Sequence, residues 1–402
     1  MDDRKHGPSA RLRARRDLPA VPPTGLVHRP NQGIDMTKLK PWLPLIGIGV
    51  FAVLLLVVAP AVLSMHWINN LGKYCCWAIV AVGIGLAWGR GGMLVLGQGV
   101  FFGLGAYTMA MHLTLETAGP GSLPVFMILY DPSAPLPAFW EPFRSDAFTL
   151  VAIVLLPVIV ASILGYALFK RRVKGAYFAI LTQALAVALA VLISSTIRET
   201  GGDTGLSDFK YFFGFVLDDD ANKIMVFMIA AALLIVCLLV VWQLGRSRFG
   251  ELLIATRDAE ERVRFLGYDP ANIKLVAFVV AAVMASIAGA MFVPIVGIIT
   301  PAEIGASASI LMIAGVALGG RASLFGPALG AMAIGWGQSS LGSSWPSGWI
   351  YILGLVFILV TLFLPMGLSS LSGRAKSLVW RSRTAATAPA AASAPVLEEV
   401  KK

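Results

Sequence analysis

Charge is what this sequence has least of. Of its 402 residues, 13% are Asp, Glu, Lys or Arg and 57% are hydrophobic, and the mean hydropathy is +0.79. A soluble domain carries about 25% charged residues, so a water-soluble globule is excluded. The apolar runs are continuous, whereas membrane barrel strands alternate polar with apolar, so a barrel is excluded too. Histidine and cysteine are equally sparse. His6, His28, His66 and His112 are scattered, and Cys75, Cys76 and Cys237 lie in or beside apolar runs. They offer no metal-ligand spacing and no disulfide framework, and the cysteines read as small buried hydrophobes. There is no G-x-x-x-x-G-K-[ST] loop, no H-E-x-x-H, and Gly83-Ile-Gly85 lacks the dinucleotide fingerprint. ATP hydrolysis by a phosphate loop is therefore excluded, the chain reads as no enzyme, and no cofactor is expected in it. No Ser/His, Asp/Asp or metal constellation sits within the apolar runs to support intramembrane catalysis.

What is present is a series of apolar runs, each near the roughly 20 residues that cross a bilayer as a helix. They cover Leu43–Leu63, Leu71–Trp88, Leu94–His112, Phe148–Phe169, Tyr177–Ser195, Ile224–Trp242, Leu275–Val296, Ser307–Leu318, Leu324–Ser339 and Trp349–Leu364. The expected fold is thus all-α: a polytopic helical membrane protein with about ten transmembrane helices. The net charge of +10 follows topology, not nucleic-acid binding. With the N-terminus inside, the inside loops carry Arg90, then Lys170, Arg171, Arg172 and Lys174, then Arg246–Lys274, then Arg321 and the C-terminal basic residues. The outside loops carry Glu116, Asp131, Glu141, Asp146, Glu199, Asp203, Asp208 and Asp218–Asp220. Basic residues mark cytoplasmic loops, so both termini are expected there.

Residues 1–40 hold nine Lys/Arg and no apolar run, and read as a disordered basic tail. Met36 is a second candidate start of translation. The membrane-spanning body is expected over 41–371, with residues 372–402 a second disordered tail.

No Asp, Glu, Lys or Arg falls deep within a predicted span, and Lys73 and Lys274 sit at edges, where they can snorkel. Ion-coupled carriers place ionisable groups at mid-membrane. Their absence suits a path for a neutral or net-neutral solute and counts against ion coupling, though a stand-alone secondary carrier or channel is kept as the alternative of a different class.

The exception to the scarcity of charge is 245–274. Arg246, Arg248, Arg257, Arg262, Arg264 and Lys274 face five acids there. Ala255, Ala259, Val263 and Leu266 recur at helical spacing and predict a narrow apolar face. Asp258 with Arg262, and Glu260 with Arg264, stand four apart in the favourable order. Gly267 predicts the stop, and Asp269-Pro270 a turn into the next span. This island reads as a docking helix for a cytoplasmic protein, with a simple solvated loop helix as the alternative.

Small residues carry helix packing. Gly85–Gly89, Gly99–Gly103, Gly315–Gly319 and Gly326–Gly330 are GxxxG pairs that let backbones approach closely in lipid. The density of glycine at Gly97, Gly99, Gly103 and Gly105 predicts an irregular helix that opens backbone groups toward a path. Gln98, Thr182, Gln183 and Thr204 are candidate substrate contacts, because an amide both donates and accepts. Hydrogen bonding between helices is the alternative for each of them.

The segment Arg257-Asp-Ala-Glu-Glu-Arg-Val-Arg-Phe-Leu-Gly-Tyr-Asp resembles the coupling loop of membrane subunits of bacterial ABC importers, in the branched-chain amino acid and urea uptake branch. Leu96-Gly-Gln-Gly-Val-Phe-Phe-Gly-Leu-Gly-Ala-Tyr, Lys174-Gly-Ala-Tyr-Phe-Ala-Ile-Leu-Thr-Gln, Thr200-Gly-Gly-Asp-Thr-Gly-Leu-Ser-Asp-Phe and Gly319-Gly-Arg-Ala-Ser-Leu-Phe-Gly-Pro-Ala-Leu-Gly-Ala agree with it. The resemblance spans about Trp42 to Leu371. It implies a vitamin-B12-importer-like permease fold in the bacterial inner membrane. It also implies a second homologous permease subunit, two cytoplasmic ATPase subunits and a periplasmic solute-binding protein as partners. Arg257, Asp258, Glu260, Glu261, Arg264 and Gly267 would then couple to the ATPase. Leu123-Pro-Val-Phe-Met, Leu136-Pro-Ala-Phe-Trp-Glu-Pro-Phe, Gln98, Gln183 and the Gly297–Gly305 loop are similar to the urea permease, making urea the expected cargo. Ala308-Ser-Ile-Leu departs from the urea pattern by lacking an acidic residue. Branched-chain or hydrophobic amino acids and short-chain amides are the alternatives.

Overall fold

The computed structural model describes residues 43–131, 133, 135–173 and 175–363. Both predicted tails, Lys174 and the span end at Leu364 lie outside the described residues. The chain divides into Met1–Gly47 and Ile48–Lys402. Of the first unit, residues 43–47 are described, and they are helical. The account below concerns the second unit.

Besides short helical turns such as Val125–Tyr130 and Ile197–Thr200, ten longer apolar helical segments and one charged helix run through the described residues. They are α1 (Pro44–Val62), α2 (Met65–Arg90), α3 (Gln98–Ala118), α4 (Asp146–Lys170), α5 (Ala176–Ser195), α6 (Asp220–Arg246), α7 (Arg248–Phe265), α8 (Pro270–Val296), α9 (Ala306–Gly319), α10 (Gly326–Ser344) and α11 (Pro346–Phe363). Seven stretches are long and apolar enough to cross a membrane: α1, α2, α4, α5, α6, α8 and Pro301–Gly319, which contains α9. The ten apolar helices follow the order of the predicted spans, with shifted bounds. α2 starts at Met65 rather than Leu71, which moves Lys73 well inside a helix. The Pro301–Glu303 turn extends the α9 segment backward and brings Glu303 into it. The reading that no ionisable residue enters a span is therefore corrected at these two positions.

α8 and α2 form the core, and α8 packs on α2, α3, α4 and α6. Small residues allow it: Ala277, Ala281, Ala285, Ala288 and Gly289 are fully or almost fully buried along α8. Phe101, Phe102, Phe278 and Phe292 interlock edge-to-face across α3 and α8. α9 and α10 pack together and against α2. Gly319 backs onto the Gly326 carbonyl and the Gly330 amide, and Gly315 onto the Ala331 backbone. The two GxxxG pairs thus meet face to face, which is how helices gain close van der Waals contact in lipid.

Strand structure is slight. β1 (Leu206–Ser207) pairs antiparallel with β4 (Ile298–Ile299), and β2 (Tyr211–Phe212) with β3 (Phe215–Val216).

Residues 91–97 break the helical run. They are non-helical and mostly alternate in burial up to the start of α3 at Gln98. Of the four glycines expected to mark an irregular helix, however, only Gly97 lies there. Gly99, Gly103 and Gly105 sit in the regular helix α3, where they allow close approach of Ile304 and Ser286. Gly99 then meets the Ile304 carbonyl and Ser309 Oγ. Ser309 lies eight residues from Pro301 and ten from Gly319, about half-way along that segment at ~1.5 Å per residue. α3 therefore begins beside the middle of that segment. Within a membrane, unpaired backbone is tolerated where protein covers it or a path runs past it.

Candidate functional site

The basic loops converge on one end of the structure. The last turns of α2 widen to π spacing over Gly85–Arg90. The carbonyls of a helix C-terminus lack intrahelical donors, and the Arg257 Nη1 donates to Gly89 O at 2.7 Å. A guanidinium at a helix C-terminus also opposes the helix dipole favourably. The Gly89 backbone abuts the Arg321 carbonyl, and Gly245 abuts the Arg90 guanidinium. Arg321 lies over the Trp88 ring at 5.1 Å, and Arg246 over Trp242 at 4.9 Å.

α7 lies on this end. Glu260 accepts from Arg264 Nη2 at 2.9 Å and from Lys274 Nζ of α8 at 2.9 Å, tying α7 to the core. Lys170 Nζ donates to Asp269 Oδ2 at 2.6 Å, tying in the end of α4. These contacts border a cavity of about 580 Å³ lined by Gly91, Gly92, Phe178, Arg257, Glu260 and Lys274. The Lys170 ammonium holds the Asp269 carboxyl below the usual carboxylate range, and Arg257 does the same to Asp258.

Two predicted details of α7 fail. Asp258 bonds its neighbour Arg257 (Nε to Oδ1, 2.8 Å), not Arg262. Ala259 is non-helical (φ −153°, ψ 71°), so α7 kinks there and the Ala255–Ala259–Val263–Leu266 face does not exist as one stripe. The buried positions are Gly250, Leu253, Thr256 and Val263. Phe265 and Leu266 are instead 89% and 75% exposed, with Tyr268 beside them and Glu261 also turned to solvent. The stop at Gly267 has the left-handed φ of +87° that favours glycine. Tyr268 N–H donates to Val263 O and Gly267 N–H to Arg264 O, closing the helix. Asp269 then caps α8 by accepting from the Ala271 N–H at 3.0 Å, with Pro270 in the first turn.

The opposite end is acidic and ordered by side chains. His112 Nδ1 donates to Phe143 O at 2.8 Å. Glu116 accepts from the backbone N–H groups of Phe213 and Gly214, pinning the β2–β3 hairpin to the end of α3. A cavity of about 490 Å³ there is lined by His112, Glu116, Glu141, Arg144 and Asp146.

Between the ends lies a polar cluster. Gln98 is 1% exposed, and neither of its amide atoms has a partner among the described residues. The Gln183 amide atoms and Ser309 Oγ are buried and unpartnered in the same way. Buried polar atoms without partners are costly. Gly97 backs onto the Thr182 carbonyl, Gly99 onto Ser309, and Gly103 onto the Ile304 side chain. The structure thus gathers Gln98, Thr182 and Gln183 and adds Ser309. Thr182 itself donates to Ala179 O at 2.9 Å. Thr204 stands apart, exposed on the Gly202–Thr204 turn before β1. Ser309 was noted in the sequence only for its departure from the urea pattern, since nothing local marks it as facing Gly99.

Residues 67–363 match the family model described as the branched-chain amino acid transport system / permease component. The chain belongs to that family and is a multi-pass protein of the inner membrane. It is 27% identical over 309 residues to the high-affinity branched-chain amino acid transport system permease protein LivM of Escherichia coli, covering 71% of this chain and 66% of that protein. It is 26% identical over 318 residues to the permease protein BraD of Pseudomonas aeruginosa, covering 75% of this chain and 94% of that one. The chain thus spans slightly less than two thirds of the LivM length. No solved structure matches. These relatives favour the amino acid alternative over the urea expectation.

Proposed function

We propose that this chain is a permease subunit of an ATP-driven importer that carries branched-chain amino acids inward by alternating access. The observation that carries the reading is α7. It is a charged helix tied to the core through Glu260–Lys274 and Arg257–Gly89, and it presents exposed Phe265 and Leu266 outward. Exposed aromatic and aliphatic groups on an otherwise charged surface suit a protein partner. We assign that partner as a cytoplasmic ATPase, with Arg257, Asp258, Glu260, Glu261, Arg264 and Gly267 as the coupling segment. A second permease, a second ATPase and a periplasmic binding protein complete the assembly. Both termini are then cytoplasmic, the fold is vitamin-B12-importer-like, and the His112–Glu116 end faces the binding protein. The buried polar groups Gln98, Gln183 and Ser309, with Thr182, line the path at mid-depth. An ATPase that contacted both states of α7 equally would shift nothing, so its grip must differ between them.

The test is charge reversal of Glu260 and Glu261 in the assembled transporter. Glu260→Lys with Glu261→Lys retains insertion and lowers ATP-coupled uptake by about tenfold or more, the scale expected when paired charges at a contact are broken. Wild-type uptake in that double variant overturns the coupling assignment.

A further inference from the structure

The cavity at the acidic end, about 490 Å³, falls in the volume range of small-molecule sites, about 300–1,000 Å³. Three carboxylates, Glu116, Glu141 and Asp146, line it against one guanidinium, Arg144, so it favours a cation. His112 lines it too, and is 2% exposed. Its ring is fixed from two sides. Nδ1 donates to Phe143 O at 2.8 Å, and the Phe213 ring packs against it with centres 4.9 Å apart. In the neutral ring a proton on Nδ1 leaves Nε2 as an acceptor. That Nε2 is buried and has no hydrogen-bond partner among the described residues. Asp146 Oδ1 stands 3.8 Å from it and Glu116 Oε2 4.0 Å. Both gaps exceed hydrogen-bond length, which is about 2.7–3.2 Å from a nitrogen donor.

Two helices thus bring three acceptors around one gap. His112 and Glu116 stand one turn apart on α3, and Asp146 opens α4. Two acceptors bonded to one nitrogen at about 2.8–2.9 Å lie roughly 4–4.7 Å apart, close to the spacings here. A water molecule has two donors. A primary ammonium has three, together with the charge that two carboxylates call for. No group of three such side chains among the described residues is placed to hold a metal ion. We propose that this cavity is an entry site for the cargo, in which His112 Nε2, Asp146 and Glu116 receive the ammonium of an α-amino acid. Glu116 is held in place by the Phe213 and Gly214 N–H groups, and Asp146 is 67% exposed, open to an arriving ligand. His112 lies ~21 Å along α3 from Gln98, at ~1.5 Å per residue, so this site is separate from the mid-depth amides. The inference rests on the amino acid reading above and on the outward placement of this end, and adds a recognition step ahead of those amides.

The test measures binding to the purified complex of this chain with its partner permease and ATPases, without the binding protein. The probes are leucine, 3-methylbutylamine (no carboxylate) and 4-methylpentanoate (no ammonium). His112→Asn keeps a donor for Phe143 O and removes the Nε2 acceptor. Asp146→Asn removes one charge at constant shape. Each weakens leucine and 3-methylbutylamine by about tenfold, the scale of one hydrogen bond to a charged group, and leaves 4-methylpentanoate and the thermal midpoint unchanged. Glu141→Gln removes the same charge from the cavity but beside Arg144, and it weakens the two ammonium probes much less. Unaltered affinity for both probes in His112→Asn and Asp146→Asn overturns the site. So does an equal loss in Glu141→Gln, which marks diffuse attraction, and so does an equal loss of 4-methylpentanoate, which marks a structural role. Variants that bind leucine normally but no longer dock the binding protein assign the three acceptors to a lysine of that protein and overturn the site as well. A wild-type complex that imports leucine yet binds neither ammonium probe does the same. A wild-type complex that imports no leucine even with its binding protein and ATP instead overturns the amino acid reading, and this site with it.

Discussion

Asp269 serves two neighbours at the joint between α7 and α8. One carboxylate oxygen caps α8, and the other accepts from Lys170. Because Lys170 depresses the Asp269 pKa, the contact stabilises the fold above the ordinary carboxylate range and is lost as pH falls through the lower folded value. Both side chains are 41% exposed, so solvent screens the contact and its effect is small. Lys170→Met should therefore lower the thermal midpoint of the complex slightly at neutral pH. The gap from wild type should close below the ordinary aspartate pKa of about 4. A gap that widens on acidification contradicts this. Asp269-Pro270 and Gly267 were legible in the sequence because caps are local chemistry. Ser309 was not, because what it faces, Gly99, is far away in the chain.

Among the elements, α9 and α10 depend most plainly on their smallest residues. A methyl group at Gly319 would meet the Gly326 carbonyl, which no rotamer change can move. Gly319→Ala should therefore destabilise the complex by about 1–3 kcal/mol, the usual cost of overpacking, seen as a lowered thermal midpoint in detergent. Gly354→Ala, which meets open space, is the control. Equal midpoints for the two variants contradict the packing. Element order was readable because apolar runs of about 20 residues are strong signals. The break at Ala259 was not. The 3.6-residue pattern through Ala255, Val263 and Leu266 is compatible with one straight helix, and only the docking of Val263 on one side and the exposure of Leu266 on the other reveals two.

At the scale of the whole molecule, charge divides the chain by position. Arg90, Lys170, Arg257, Lys274 and Arg321 meet at one end. Glu116, Glu141 and Asp146 line a cavity at the other. Between them are the buried amides of Gln98 and Gln183. That distribution supports a protein driven from its basic end that passes a net-neutral solute. The cargo was the least legible property, because the groups proposed to meet it, Gln98, Thr182, Gln183 and Ser309, come from separate helices and no local pattern marks them. The most direct measurement is uptake into proteoliposomes holding this chain with its partner permease, ATPases and binding protein. Leucine, isoleucine and valine should accumulate only with ATP, and excess urea should not compete. Accumulation of urea, or leucine entry that persists without ATP, would contradict the account.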